Sequence, residues 1–264
     1  MQHDQDEENP SSPVAEPFQG LMLERNTFIT FRPLQTNATP EEQQQWEATL
    51  AAGVIAQKLI TGGVAVGGTA ATLYAGHRLS LDTDHLLMNL RETFDAVLEA
   101  LGDAPEWKTA RIRKPILILG SINDVEVGYR QSRRSSPIGT ATVRTPYGEL
   151  VIPTLDEMLG MKAYLSYSRN KVRDYLDFAA LSGCTSEAKV LESLMKLDER
   201  YGELQTNSVR LEVARTFAAP QPEDLSEVDL PHFKALGEEW HDWKRTEAIC
   251  KRFGILLGET IIGV

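Results

Sequence analysis

Cysteine is scarce in this 264-residue chain: Cys184 and Cys250 are the two present, and they form no CxxC pair. Both lie in apolar stretches with helical character. Disulfide frameworks and structural zinc sites need more numerous or closely spaced cysteines. We therefore expect both cysteines to be reduced residues of a core.

Long apolar runs are also missing, since none reaches the roughly 18 residues that span a bilayer. The first 17 residues are acidic and rich in proline and serine, unlike a signal or transit peptide. Residues 1–20 are expected to form a disordered acidic tail because so few of them are apolar. These features predict a cytoplasmic protein with no membrane partner.

Positive charge is in deficit, because 27 Lys and Arg residues face 38 Asp and Glu residues and leave a net charge of −11. Nucleic-acid-binding proteins usually carry a basic surface, since phosphate contacts dominate their affinity. The basic residues of this chain nevertheless cluster, in residues 108–114 and again in residues 130–173. Two interpretations stay open: an unevenly charged solvated surface, or a functional basic face.

The first half of the chain alternates helical and strand patterns. Thr39, Pro40 and Glu42 predict a capped helix over residues 40–60, which a Gly62-Gly63 pair ends. Strands are predicted over 64–66 and 81–88, and helices over 70–75 and 91–101. Residues 107–129 follow a strand pattern with a turn at Gly120-Ser121, and a hairpin is predicted over 141–152 with its turn near Tyr147-Gly148.

The second half of the chain, after Pro153, has helical patterns almost throughout. The predicted fold class is therefore α+β: a small mixed sheet with helices, followed by an all-helical part. We expect the disordered acidic tail at 1–20, an α/β domain at 21–152 and a helical domain at 153–264.

The strongest chemical signal is Gly67-Gly68-Thr69 followed by Asp82-Thr83-Asp84. Alternation along a strand places Asp82 and Asp84 on one face, where two carboxylates repel unless a cation lies between them. Mg²⁺ suits such a site because it prefers carboxylate and phosphate oxygens. Gly67 and Gly68 would let a triphosphate approach backbone N–H groups at a helix N-terminus, and Thr69 would add a hydroxyl donor.

A further carboxylate, Glu126, lies between two valines on a later predicted strand. It could be a third metal ligand, the base that accepts a hydroxyl proton, or a glutamate that faces solvent. These three readings stay open. His85 is expected to point away from Asp82 and Asp84, and His77 is expected to be a turn or packing residue.

The last block runs from residue 162 to residue 177 and is rich in charge. Lys162 and Arg169 share a helix face and could neutralise a triphosphate. Arg173 can pair with Asp177, and Asp174 neighbours Asp177. Taken alone, the block also fits an amphipathic helix with surface ion pairs.

Together, these motifs carry a family resemblance. Residues 67–84 resemble the first motif of the AbiEii/AbiGii-type nucleotidyltransferase toxins, and residues 153–162 and 169–177 resemble that family's lysine and Asp-x-x-Asp motifs. The resemblance covers roughly residues 45–185. It implies a polymerase-β-like nucleotidyltransferase fold with a helical C-terminal domain.

The resemblance also implies residue roles. Asp82, Asp84, Lys162 and Asp174 would be catalytic, and Asp82 and Asp84 would bind the metal, with Glu126 as the candidate for a third metal ligand. The residues implied in substrate binding are Gly67, Gly68, Thr69, Arg78, Arg169, Arg173 and Asp177.

The implied activity is Mg²⁺-dependent transfer of a nucleotide from an NTP to tRNA or another RNA, by a toxin paired with an antitoxin. Two alternatives stay open. One is a catalytically weak nucleotidyltransferase-like binding protein. The other is an enzyme that modifies a protein or a small cationic molecule such as an aminoglycoside, which the net charge of −11 would suit.

Overall fold

The computed structural model describes residues 28–263, so the predicted tail at residues 1–20 lies outside the described residues. Eight strands and nine helices follow one another in these residues, with three short 3₁₀ turns at 202–204, 230–232 and 238–240. The strands are β1 (Phe28–Ile29), β2 (Val64–Val66), β3 (Asp82–Leu87), β4 (Trp107–Arg113), β5 (Leu117–Ile122), β6 (Val125–Gln131), β7 (Thr140–Thr145) and β8 (Gly148–Pro153). The helices are α1 (Pro40–Leu59), α2 (Gly67–Ala75), α3 (Leu90–Gly102), α4 (Leu155–Arg169), α5 (Val172–Ser182), α6 (Glu187–Met195), α7 (Leu197–Tyr201), α8 (Val209–Ala218) and α9 (Trp243–Ile262).

The strands form two sheets. The larger has the order β2-β3-β6-β5-β4, in which β3 and β6 are parallel and the other neighbours are antiparallel. The smaller has the order β1-β7-β8, and its β7–β8 hairpin turns before Gly148, as predicted. The parallel β3–β6 pair is the feature that brings two distant carboxylate-bearing segments side by side.

Helix α1 begins with the predicted capping box. The Thr39 hydroxyl accepts from the Glu42 N–H at 3.2 Å, and the Glu42 carboxylate accepts from the Thr39 N–H at 2.8 Å. Each bond satisfies a backbone N–H group that has no backbone partner at the start of the helix. The helix buries Trp46, Leu50 and Val54 in the main core, so this face of the helix packs inward.

The predicted turn at Gly120-Ser121 is wrong, because β5 continues through both residues. The turn lies instead at Asn123 and Asp124, which have φ angles of 49° and 65°. Both residue types tolerate the left-handed region. Gly120 serves packing rather than turning, since a Cβ there would collide with the Trp107 indole.

The larger sheet has a buried back face. Thr83, His85 and Leu87 of β3 point to this face and are buried, whereas Asp82 and Asp84 point to the opposite one. Helix α1 covers the back face, and the Tyr129 hydroxyl donates to the Ala56 carbonyl at 2.9 Å. His85 therefore points away from the two aspartates, as the alternation predicted.

The main core continues from the sheets into the helical part. Helix α4 starts at Leu155, directly after the predicted change at Pro153. One cluster of buried side chains nevertheless includes Leu50 of α1, Ile152 of β8 and Phe178 of α5. The sheets and helices thus share a core across residue 153. Within residues 28–263, no helix combines the length and apolarity that crossing a bilayer requires.

Burial of His85 predicts a pH-dependent stability. Burial lowers the pKa of His85 to about 4, so the folded protein keeps this ring neutral while the unfolded chain takes up a proton below about pH 6.5. Stability is therefore lost as pH falls from 6.5 to 4, by about 3 kcal/mol from this residue. Urea unfolding at each pH should show a shallower loss in His85→Phe than in the wild type. Parallel pH profiles would contradict the assignment.

Candidate active site

Gly67 and Gly68 form the first turn of α2, which starts at Gly67 rather than at the predicted Ala70. The residue before the helix, Val66, supplies no side-chain cap, so the N–H groups of this turn have no side-chain partner there. Gly67 has a φ angle of +74°, which glycine adopts without strain. A Cβ on Gly68 would lie 2.5 Å from Ser80 Oγ and 2.8 Å from Arg78 Nη2. Glycine is therefore required at both positions.

Asp82 and Asp84 lie on the open front face of the larger sheet. Each carboxylate is oriented by one neighbour: Ser80 Oγ donates to Asp82 Oδ1 at 3.0 Å, and Arg130 Nε donates to Asp84 Oδ1 at 2.8 Å. Gly128 lies opposite Asp84 on β6, where a Cβ would collide with the Asp84 carboxylate. The absence of a side chain at Gly128 thus leaves space on the front face for the Asp84 carboxylate.

Thr69 has a role that differs from the predicted one. Its hydroxyl donates to the main-chain oxygen of Asp82 at 2.6 Å, and its side chain is buried. The hydroxyl is thus already used, and it ties the first turn of α2 to the start of β3. A ligand at this turn would meet backbone N–H groups rather than the Thr69 side chain.

Glu126 lies directly opposite Asp82 in the parallel β3–β6 pair, and its side chain is exposed on the same front face. Within the described residues, no group of three His, Cys, Asp or Glu side chains is close enough to hold a metal ion. The predicted set of three metal ligands is therefore not assembled in the described residues, and Asp84 pairs with Arg130 instead. Two carboxylates still fit Mg²⁺, which completes its coordination with water and substrate phosphate.

A buried ionic cluster lies beneath the glycine turn. Arg78 donates twice to Asp177, from Nε to Oδ1 at 2.7 Å and from Nη2 to Oδ2 at 2.9 Å. Lys162 Nζ lies 2.7 Å from Asp177 Oδ2, and His77 Nε2 lies 2.8 Å from Asp177 Oδ1. All four side chains are almost fully buried. The cluster links the α2–β3 connection to helices α4 and α5.

Lys162 therefore does not lie where the sequence predicted. It was expected to contact a phosphate, but its side chain is 2% exposed and its ammonium faces Asp177, with Asp174 Oδ1 at 3.7 Å. The helical pattern placed Lys162 and Arg169 on one face of the helix. It did not show that Lys162 is buried while Arg169 is exposed. Asp177, expected at the substrate, is likewise buried.

Burial and the neighbouring charges determine the protonation states of Asp177 and His77 in this cluster. Burial raises the pKa of Asp177, but Arg78 and Lys162 outweigh that effect and hold the pKa well below its usual range. Burial lowers the pKa of His77 more than Asp177 raises it. His77 is thus a neutral hydrogen-bond partner of an ionised carboxylate. It does more than the packing that the sequence suggested.

The remaining predicted residues separate into two groups. Arg169 Nη2 donates to the buried Asp174 at 3.0 Å, so both belong to the periphery of the cluster. Arg173 does not pair with Asp177 as predicted, because Asp177 faces the interior while the Arg173 side chain is exposed. Arg173 instead lines a cavity with Lys171 and Lys234.

Sequence patterns missed three residues near this site: Ser80, Arg130 and Lys234. Ser80 and Arg130 hold the two aspartates. The pairing of β3 with β6 would have indicated Arg130. It lies two residues after Gly128, the partner of Asp84, and therefore points to the same face of the sheet. Lys234 lies in an irregular segment, where no periodicity signals a position.

No family model matches the chain. Part of it is similar to mycobacterial proteins: it is 38% identical over 104 residues to the heme uptake protein MmpL11 of Mycobacterium tuberculosis, covering 38% of this chain and 10% of that protein. It is 30% identical over 129 residues to the mycolic acid-containing lipids exporter MmpL11 of Mycolicibacterium smegmatis, covering 48% of this chain and 13% of that protein. The chain thus matches about a tenth of the length of these relatives.

The fold is similar to that of JHP933 from Helicobacter pylori, with a TM-score of 0.51 at 15% identity, covering 86% of this chain and 96% of that one. The predicted α+β fold class is confirmed: sheets in the N-terminal part of the chain are followed by helices in the C-terminal part, as in JHP933. A nucleotidyltransferase-like protein from Paracoccidioides brasiliensis has a TM-score of 0.42 at 15% identity, covering 66% and 93% of the two chains.

Removing the Lys162 charge should destabilise the protein. Lys162→Met leaves Asp177 with one cation fewer in a buried setting, and breaking a buried ion pair in this way costs about 3–5 kcal/mol. Urea unfolding measures the loss, with Lys58→Met as the matched control because Lys58 is exposed on α1. Equal effects of the two substitutions would show that the Lys162 ammonium is not held in the cluster.

Proposed function

We propose that this chain is a Mg²⁺-dependent nucleotidyltransferase that transfers a nucleotide from an NTP to an RNA acceptor. One observation carries the proposal: Asp82 and Asp84 point to the same open face, directly beside the uncapped N-terminal turn of α2. Carboxylates for a metal and N–H groups for phosphates are the two elements that this reaction requires.

The triphosphate would bind at Gly67 and Gly68, where the positive end of the α2 dipole favours an anion. Bound Mg²⁺ would be held by Asp82 and Asp84 and would supply Lewis-acid stabilisation of the phosphate charge. Arg130 faces Asp84 and is free to move to a phosphate oxygen, since its side chain is about two-fifths exposed. The buried Arg78 would support the turn from below, through its contact with Gly68.

In the proposed transfer, the acceptor hydroxyl attacks the α-phosphorus, a new P–O bond forms, and pyrophosphate leaves with the electrons of the broken bond. The hydroxyl proton needs an acceptor on the front face. Glu126 is exposed there, one strand from Asp82 and in its register. We therefore assign the proton to Glu126, in preference to a metal-binding role.

The front face also supports an RNA acceptor. Strand register places Lys108 in one row with Ser121, Glu126 and Asp82, and Arg111 in one row with Leu119, Gly128 and Asp84. Arg113 ends the next row. These three cations are exposed on edge strand β4, about 14 Å from the aspartates across three strand spacings. A polyanion that contacts these cations and crosses the front face along the rows would reach the carboxylates.

The toxin role and the antitoxin partner are supported by the motif resemblance of residues 67–84 and 153–177. The net charge of −11 supports a second candidate, transfer to a small cationic molecule or a protein. The third candidate, a binding protein without turnover, would bind NTP and release no pyrophosphate. The same assay separates all three.

Asp82→Asn should abolish transfer because it removes a metal-binding charge while keeping the side-chain shape. Purified protein is incubated with each α-labelled NTP, Mg²⁺ and total cellular RNA, and label and pyrophosphate are followed. We expect labelled RNA with the wild type and a loss of at least a hundredfold in the variant. Asp95→Asn, an exposed surface carboxylate on α3, is the matched control.

Full activity in Asp82→Asn would overturn the metal assignment. Pyrophosphate release with cell extract but no label in RNA would favour a protein or small-molecule acceptor. NTP binding without pyrophosphate under any condition would favour the binding protein.

Replacing Lys108, Arg111 and Arg113 together with Gln should raise the KM for RNA and leave the KM for NTP unchanged. Each lost phosphate contact on a single strand reduces the slope of log affinity against log salt by about 0.7, so the slope should fall by about 2. The control replaces three exposed lysines elsewhere, Lys58, Lys189 and Lys244, with Gln. Equal effects of the two triple variants would contradict a specific acceptor surface on β4.

A further inference from the structure

A basic cavity lies beside the candidate active site, at the start of α5. Its volume is about 310 Å³, and its lining residues are Lys171, Arg173, Asp224, Val228, Phe233 and Lys234. Three of these residues are cations and one is an anion. The cavity is thus a small, positively charged site, and the volume is near the lower end of small-ligand pockets.

The three cations of this cavity differ in whether they form ion pairs with other residues. Lys171 Nζ lies 3.3 Å from Glu223, and Asp224 accepts from the Val172 N–H at 2.9 Å, which caps the first turn of α5. Arg173 and Lys234 form no ion pair with any of the described residues. These two side chains are therefore the ones available to a ligand.

The backbone holds Lys234 in an unusual conformation. Lys234 and Ala235 have φ angles of 50° and 47°, which residues other than glycine rarely adopt. Two hydrogen bonds fix the segment to the connection between α2 and β3: Leu79 N–H to the Lys234 carbonyl, and Gly237 N–H to the His77 carbonyl, both at 2.8 Å. Backbone strain of this kind persists where surrounding structure enforces it, often at ligand sites.

This attachment places Lys234 next to the catalytic face. Burial lowers the pKa of Lys234, as do the charges of Arg78 and Arg173, while Asp82 and Asp177 act in the opposite direction. The bond from Leu79 ties Lys234 to the chain three residues before Asp82 and one residue after Arg78 of the buried cluster. Lys234 is therefore a candidate for the role that the sequence assigned to Lys162, the neutralisation of the triphosphate charge.

We propose that Arg173 and Lys234 bind the terminal phosphates of the NTP substrate. The inference rests on the proposed function: it adds Lys234 to the site and assigns Arg173, which the motif resemblance implied only in substrate binding, to the terminal phosphates. Position favours the nucleotide over the acceptor: Lys234 is attached to the segment that joins α2 to β3, whereas the basic row of β4 lies at the opposite edge of the sheet. An NTP with its α-phosphate at Asp82 would extend its β- and γ-phosphates past the α2 turn toward this cavity.

The test measures binding rather than turnover. Isothermal titration in Mg²⁺ compares a non-transferable NTP analogue with the matching NDP and NMP, for wild type, Arg173→Gln and Lys234→Gln. We expect each variant to weaken NTP binding about tenfold, to weaken NDP binding less, and to leave NMP binding unchanged. Lys58→Gln is the matched control, and Lys234→Arg should recover most of the affinity. Circular dichroism and thermal unfolding check that each variant is folded.

Unchanged NTP affinity in both glutamine variants would overturn the proposal, as would equal weakening of NTP, NDP and NMP. A raised KM for RNA with unchanged NTP affinity would assign the cavity to the acceptor and also overturn it. If the wild type binds NTP with the expected dependence but transfers no nucleotide, the proposed function fails and this inference stands. If transfer occurs but neither variant affects NTP binding, the inference alone fails. A wild type that binds no NTP overturns both.

Discussion

The ionised carboxylate of Asp177, buried among Arg78, Lys162 and His77, is the interaction on which the candidate site depends. It joins the α2–β3 connection to α4 and α5 at a place that is buried from solvent. Charges buried in this way stabilise a fold only when their geometry is good and every partner is present. The position of Gly68 follows from the cluster, because the Arg78 guanidinium lies directly beneath it.

The cluster also determines which cations can act on a ligand. Lys162 and Arg78 are committed to Asp177, and Arg169 to Asp174. Near the glycine turn, the positive charge available to a ligand is therefore supplied by Arg130, Arg173 and Lys234, which come from three separate segments. Substitutions in the buried cluster should act on stability first, whereas substitutions at these surface positions should act on ligands.

Local patterns predicted much of this fold. The capping box at Thr39, the strand alternation of Asp82 and Asp84 and the helical change after Pro153 depend on neighbours in sequence, and each is present in the structure. The cluster was not predictable in the same way. Asp177 meets Arg78 99 residues earlier in the chain, and a helical pattern does not indicate which charged residues of a mixed face turn inward. Lys234 lies outside any periodic pattern, and Gly120 looked like a turn because its packing partner, Trp107, is on another strand.

Strand β4 is an edge, and its outer side is not paired with any strand within residues 28–263. Unpaired edges invite association with other sheets, and charged side chains are a common means of preventing it. Lys108, Arg111 and Arg113 place three positive charges on this edge, an arrangement that opposes the addition of a further strand. Substitutions that neutralise all three charges should therefore lower the solubility of the protein as well as weaken acceptor binding. An activity assay alone would not detect the lower solubility.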